Sequence, residues 1–361
     1  MKFKTEKLVP SKAEGLKLKT KAENSKILRI IDVNVNRAVE GLRVVEDIAR
    51  FVLDDKKYTV QLKEFRSKIR RAIKNLLKDR RSSTDVGRKS YTKKESKRSS
   101  IQDIFAANAK RAQEALRVLE EFSKLIDPRL GKTFKDIRFK IYDLEKKVYF
   151  DLVRRLKLDF DLYVVTDPMN DHLKVVRGVI AGGGKVVQLR DKKASKSKLL
   201  KLAKQIRKLT AKADVIFIMN DYFDIANKVG ADGIHLGQED LKTMSLKQVR
   251  RKLGDDKVIG VSTHSFTEAV KAEQQGADYV SLGPIFSTPS KPHMKPLGLN
   301  LLRKVAKRVK IPIVAIGGIN QSNILRVKKA GVQRAAVIRS VVASKKIKKA
   351  VRQLRKVFQQ S

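Results

Sequence analysis

From residue 160 onward the apolar residues fall into two alternating patterns. Short runs rich in Val, Ile and Leu occupy residues 161–166, 185–190, 215–220, 233–236, 258–262, 279–283, 313–317 and 335–338. Between them lie segments such as 197–213, 267–275 and 321–330, whose apolar side chains recur at every third or fourth position. Short apolar runs suit strands buried in a parallel sheet, and the three-four spacing suits helices packed against its outside. Gly-Ala-Asp at 230–232 and again at 276–278 closes a helical segment just ahead of a strand. Eight such units in about 200 residues predict an α/β fold, a (β/α)8 TIM barrel in preference to a doubly wound open sheet.

Residues 25–150 carry helical periodicity with almost no strand-type alternation, and they contain a repeat. Asn34, Arg37, Ala38, Glu40, Leu42, Arg43, Val44, Glu46 and Asp47 return as Asn108, Arg111, Ala112, Glu114, Leu116, Arg117, Val118, Glu120 and Glu121. A second helical segment follows each copy, Glu64-Phe65-Arg66 matching Asp136-Ile137-Arg138. An all-α domain built from a duplicated helical hairpin is the expectation. Arg37 and Glu40, like Arg111 and Glu114, share a helix face, which suits either an intrahelical ion pair or the polar wall of a pocket. Residues 80–100 between the copies are too polar and too long for a tight connection, and Ser83, Thr84, Asp85, Val86 and Gly87 are a candidate phosphate-contacting loop. The domain reading is therefore a basic tail at 1–24, the helical domain at 25–150 and the barrel at 158–361.

Composition narrows the function. Of 361 residues 83 are Lys or Arg and 38 are Asp or Glu, a formal charge of +45. The excess is spread through both halves of the chain, so it reads as a solvated basic surface rather than a specific nucleic-acid footprint. A nucleic-acid-binding protein on an inactive phosphate-binding barrel is the alternative from another class. Cysteine is absent, which excludes disulfides, thiolate metal sites and cysteine nucleophiles. With neither an apolar leader nor an apolar run long enough to span a bilayer, the expectation is a cytoplasmic protein with no membrane partner. A homo-oligomer is compatible with all of this.

The chemistry sits at the carboxyl ends of the apolar runs, where a parallel barrel displays its functional groups. Asp221 and Asp240 follow neighbouring strands and could share one hard cation, Mg2+, which favours one or two carboxylates and completes its shell with phosphate oxygens; the plainer alternative is that both cap helices. Arg190, Lys192 and Lys291 add positive charge suited to a diphosphate. Gly317-Gly318 after the seventh strand and Ile338-Arg339-Ser340 after the eighth form a candidate phosphate cup. The hydroxyl- and proline-rich residues 284–293 read as a lid. His235 and His264 lack metal-ligand spacing and read as structural.

In this order QLRDK (188–192), ND (220–221), HLGQED (235–240), GVSTH (260–264), GPIFSTPSK (283–291) and IGGIN (316–320) resemble the thiamine-phosphate synthase family over about residues 160–350. The resemblance implies an enzyme, a transferase, that condenses 4-amino-2-methyl-5-hydroxymethylpyrimidine diphosphate with hydroxyethylthiazole phosphate to give thiamine phosphate and diphosphate. It implies a dissociative path in which the diphosphate departs before the thiazole nitrogen attacks. It also assigns Gln188, Leu189, Arg190, Asp191, Lys192, Asn220, Ser262 and Lys291 to the pyrimidine diphosphate, with Arg190, Lys192 and Lys291 as the catalytic cations. Asp221 and Asp240 would bind Mg2+, and Thr288, Pro289, Ser290, Gly318, Ile338 and Arg339 would hold the thiazole phosphate. Gly331-Val332-Gln333-Arg334 departs from the family's Gly-Ala-Asp-Gly, away from the cup. RIIDVNVNRAVEGLRVVEDIARF (29–51) and ANAKRAQEALRVLEEFSK (107–124) resemble a helical domain fused ahead of some such synthases. That domain is similar to a family proposed as hydroxymethylpyrimidine-phosphate kinases, which implies that this half makes the diphosphate the barrel consumes. It carries no GxxxxGK[ST] loop.

Overall fold

The computed structural model describes residues 21–73, 98–290 and 292–360. The candidate loop at 83–87 and Lys291 lie outside the described residues. The chain divides between Leu152 and Val153 into two compact units.

In the first unit run α1 (Lys21–Phe51), α2 (Lys56–Ala72), α3 (Ile101–Ser123) and α4 (Pro128–Lys157), the last turns of α4 passing into the second unit. Because α1 begins at Lys21, residues 21–24 belong to a helix and not to the expected tail, and Glu23 sits in its first turn, where a carboxylate suits the helix dipole. Ile31, Val35, Ala38, Leu42, Val45 and Ala49 alternate spacings of four and three along one face of α1, and all are buried. Phe105, Ala109, Ala112, Leu116, Leu119 and Ser123 repeat that face on α3, so the duplication is one of core packing as well as of sequence. A Cβ on Gly41 would lie 2.7 Å from the backbone oxygen of Asn108, which shows how closely the two helices approach.

The repeat also places two matching ion clusters. Buried Glu46 takes Arg43 at 3.4 Å and Arg66; buried Glu120 takes Arg117 at 2.9 Å and Arg138 at 2.6 Å. Arg37, Glu40, Arg111 and Glu114 are instead exposed. The ion pairing that one reading gave them falls six residues further on, nearly two turns, where the helix face turns inward and an unpaired charge would cost most.

In the second unit β1 (Leu162–Val165), α5 (His172–Ala181), β2 (Val186–Leu189), α6 (Lys196–Lys212), β3 (Ile216–Asn220), α7 (Phe223–Val229) and β4 (Gly233–Leu236) come first. There follow α8 (Asp240–Thr243), α9 (Leu246–Leu253), β5 (Val258–Thr263), α10 (Phe266–Gln274), β6 (Tyr279–Leu282), α11 (Gly298–Arg308), β7 (Ile313–Ile316), α12 (Ile324–Lys329), β8 (Ala335–Val337), α13 (Arg339–Val342) and α14 (Ile347–Gln359). The eight strands are all parallel and close into a barrel in sequential order, β1 pairing with both β2 and β8. The TIM-barrel expectation holds.

Alternation along the strands sorts their side chains into two layers. Tyr163, Val165, Val186, Ile218, Val258, Tyr279, Val314 and Ala336 fill the barrel interior. Leu162, Val164, Val187, Leu189, Phe217, Met219, Ile234, Leu236, Ile259 and Val261 pack outward against the helices. At the amino ends of the strands, Asp232 accepts from the backbone N–H of Phe217 at 2.9 Å and from Arg207 at 2.7 Å, and Asp278 accepts from Ile259 at 2.6 Å and from Arg250 at 2.5 Å. These are the aspartates of the two Gly-Ala-Asp turns, each tying its strand to the preceding one. Where β8 has Arg334 near the corresponding turn, the guanidinium donates to the Leu158 carbonyl at 2.8 Å and lies over the Phe160 ring, a local solution remote from the cup.

Candidate active site

A cavity of about 730 Å³ opens at the carboxyl ends of the strands. Gln188, Arg190, Lys192, Asn220, Asp221, Asp240, Ser262, Thr288, Pro289, Ser290, Gly318, Ile338 and Arg339 all line it. The barrel therefore gathers, from the ends of seven strands and the loops that follow them, thirteen of the sixteen residues expected at the site. Of the other three, Lys291 is outside the described residues. Leu189 and Asp191 belong elsewhere. Between inward Gln188 and Arg190, strand alternation turns Leu189 outward into the layer beneath the helices, where it is fully buried. Asp191 accepts from the backbone N–H of Lys193 at 2.9 Å and of Ala194 at 3.0 Å, with His172 at 3.3 Å. Burial pushes its carboxyl up, but those hydrogen bonds hold it below the ordinary carboxylate value, so it braces the loop that carries Arg190 and Lys192.

Asp221 follows β3 with φ +60°, a left-handed conformation that aspartate tolerates better than most residues. Its N–H donates to the His235 carbonyl at 3.0 Å, anchoring it to β4. It caps no helix: α7 starts after Tyr222 without a side-chain cap. Asp240, at the start of α8, accepts from the Gly237 N–H at 2.7 Å. Burial, and then the neighbouring Asp240 carboxylate, push the Asp221 carboxyl up to about 6, opposed by Lys192, whose Nζ lies 3.9 Å away, and by Arg190. Two carboxylates pressed together among cations are a fit for one hard divalent ion with oxygen ligands supplied by a substrate.

Across the cavity, Gly317 and Gly318 take φ +97° and +65°. Cβ atoms there would fall 2.5 Å from Pro284 and 2.3 Å from the Ser287 carbonyl, so the pair lets the loop after β6 pack down against the loop after β7. The Ser340 Oγ and the Gln188 Nε2 are buried and without a partner among the described residues, and both residues line the cavity. Buried polar atoms left unpaired by the chain mark places where a ligand can supply the partner.

The site also holds residues that sequence reasoning set aside. His235 and His264, read as structural, both line the cavity, with Gln238, Ser281 and Asn320. Gln238 donates to the Ser262 carbonyl at 2.5 Å. Position 235 alternates inward on β4, in register with Asn220 on β3, and that was the available signal.

Closed barrel, strand-end cavity, paired carboxylates and facing anion cups define a phosphate-handling (β/α)8 enzyme using a metal ion. Residues 162–341 match the family described as thiamine monophosphate synthase, and residues 29–147 match the ThiD2 family. A thiamine-phosphate synthase of Synechocystis sp. is 38% identical over 335 residues, 92% of this chain and 96% of the relative. One from a Synechococcus sp. is 40% identical over 334 residues, 91% and 94% of the two chains. The solved thiamine phosphate pyrophosphorylase of Pyrococcus furiosus is 38% identical, with a TM-score of 0.52, over 56% of this chain and 98% of that one. The chain belongs to the thiamine-phosphate synthase family, transferases of thiamine biosynthesis.

Proposed function

We propose that the barrel joins 4-amino-2-methyl-5-hydroxymethylpyrimidine diphosphate to hydroxyethylthiazole phosphate, giving thiamine phosphate and diphosphate. The carrying observation is that one cavity holds both the carboxylate pair ringed by Arg190 and Lys192 and the Gly317-Gly318 cup with Ser340. Two anionic substrates need two anion sites facing a common space. The bond from the pyrimidine methylene to the diphosphate oxygen breaks with its electron pair leaving on oxygen, and the thiazole nitrogen then forms the new carbon–nitrogen bond. No proton needs to be taken by a base in either step, and none of the cavity residues has to act as a nucleophile.

Magnesium, held by Asp221 and Asp240, would neutralise and orient the departing diphosphate. Arg190 presents a planar fork to the same oxygens, Lys192 a mobile point charge, and Lys291 is assigned with them. Gln188 offers its Nε2, which has no partner among the described residues, and Asn220 and Ser262 their polar groups, to the pyrimidine moiety or its diphosphate. Thr288, Pro289 and Ser290 close over the thiazole phosphate, which Gly318, Ile338 and Arg339 would hold. Purified protein given both substrates and magnesium should release thiamine phosphate and diphosphate in equal amounts, and chelation should stop it; absence of product with magnesium present would refute the reading. For the helical unit, the ThiD2 match at 29–147 supports phosphorylation of the pyrimidine monophosphate. Supplying that monophosphate with ATP in place of the diphosphate should also yield thiamine phosphate, and no turnover under those conditions would exclude it.

A further inference from the structure

We infer that His235 fixes the Ser262 hydroxyl as a hydrogen-bond donor toward the bound pyrimidine diphosphate, through a one-way relay that starts at Tyr163. The inference rests on the proposed binding of that substrate. The His235 Nδ1 lies 2.9 Å from the Tyr279 hydroxyl, which lies 3.0 Å from that of Tyr163. The Nε2 lies 2.9 Å from the Ser262 Oγ and 3.3 Å from the Ser281 Oγ. The chain of contacts runs from the barrel interior to the cavity wall.

Its direction follows from which hydrogens would otherwise be stranded. Burial pushes both phenols above their ordinary value, so each keeps its proton. Among the described residues the Tyr163 hydroxyl is buried with Tyr279 as its one hydrogen-bond partner. Were Tyr163 to accept there, its own proton would be buried unpaired, which costs more than an idle lone pair. Tyr163 therefore donates to Tyr279, and Tyr279 donates to Nδ1. A neutral imidazole has a single N–H, so the proton sits on Nε2 and is given to the nearer acceptor, Ser262. With its oxygen accepting from His235, the Ser262 hydrogen is left to point into the cavity, toward a phosphate oxygen or an unprotonated ring nitrogen of the ligand.

The packing holds this geometry. The His235 and Tyr279 rings stack with centroids 5.5 Å apart and planes 28° apart. Gly260, on β5 beside Tyr279, leaves the space: a Cβ there would fall 2.0 Å from the tyrosine ring. Neither tyrosine lines the cavity, so both act as positioning residues through His235.

The test is a double-mutant cycle on the full chain, read by calorimetric binding of the pyrimidine diphosphate with magnesium and no thiazole. Tyr279→Phe removes the hydroxyl that sets the imidazole tautomer and should weaken binding about tenfold, the loss of one hydrogen bond. His235→Ala should do at least as much, while His235→Gln, whose amide nitrogen can replace Nε2 as donor, should restore most of it. In a Ser262→Ala background Tyr279→Phe should cost nothing further. The inference is overturned if Tyr279→Phe binds as wild type, or if its loss is equal in both backgrounds, as a merely structural contribution would be. Failure of the wild-type protein to make thiamine phosphate would instead count against the proposed reaction, because binding is read separately.

Discussion

Arg190 reaches the cavity because it is the second inward position counted from Gln188, and Leu189 misses it for the same reason. Removing one preorganised charge-stabilising group typically lowers turnover by about 10²–10³. Arg190→Ala should show a loss of that size in kcat with both substrates saturating, and an unchanged kcat would disprove its role on the leaving group. Asp221 makes a prediction of opposite sign for stability. Its folded value of about 6 exceeds the ordinary 3.8, so the native state binds protons more tightly than the unfolded one. This contribution is fully present below about pH 4 and is lost as pH rises through about 6. Asp240→Asn, which removes one of the two causes that raise Asp221, should therefore raise the Tm of metal-free protein at pH 7 while abolishing magnesium-dependent turnover. A Tm that falls or stays level would contradict the coupling.

At the scale of elements, the duplicated helices carry one device twice. Glu120 is buried with Arg138 at 2.6 Å, as Glu46 is with Arg66. Breaking a buried pair from one side strands the other charge and costs about 3–5 kcal/mol. Glu120→Ala and Glu46→Ala should each lower the unfolding free energy from urea titration by amounts in that range, whereas Glu114→Ala, on an exposed pair with Lys110 at 3.8 Å, should change it by under about 0.5 kcal/mol. Equal effects at the three positions would refute the inward placement of the clusters. The repeat itself could be read directly from Asn34 to Asp47 and Asn108 to Glu121. Which of its charges were buried could not, because Arg37-Glu40 and Arg43-Glu46 have the same helical spacing and differ only in the face their helix turns to its neighbour.

For the whole molecule, the unit beginning at Val153 keeps Arg154 and Lys157. Arg154 pairs with Asp278 at 2.8 Å and donates to the Asp255 carbonyl; Lys157 donates to the Asp256 carbonyl at 2.9 Å and lies 3.9 Å from Asp232. A fragment of residues 153–361 should melt higher than one of 158–361, and should make thiamine phosphate from the pyrimidine diphosphate but not from the monophosphate with ATP. Equal Tm values would show that these bonds contribute nothing. The charge of +45 predicts polyanion binding without sequence preference, weakening by orders of magnitude between 50 and 200 mM salt as released counterions dictate. Among the described residues no helix is long and apolar enough to cross a membrane.

Local spacing alone determined the eight strands, the helices between them, the duplication and the strand-end clusters, since short apolar runs and a period of three to four residues are properties of the chain itself. That information stops at the faces. Closing the barrel decided that Asp221 and Asp240 meet, that Asp191 braces a loop instead of lining the cavity, and that His235 spans from Tyr279 to Ser262. Those outcomes depend on residues distant in sequence arriving at one rim, and only the register of parallel strands fixes which of them meet.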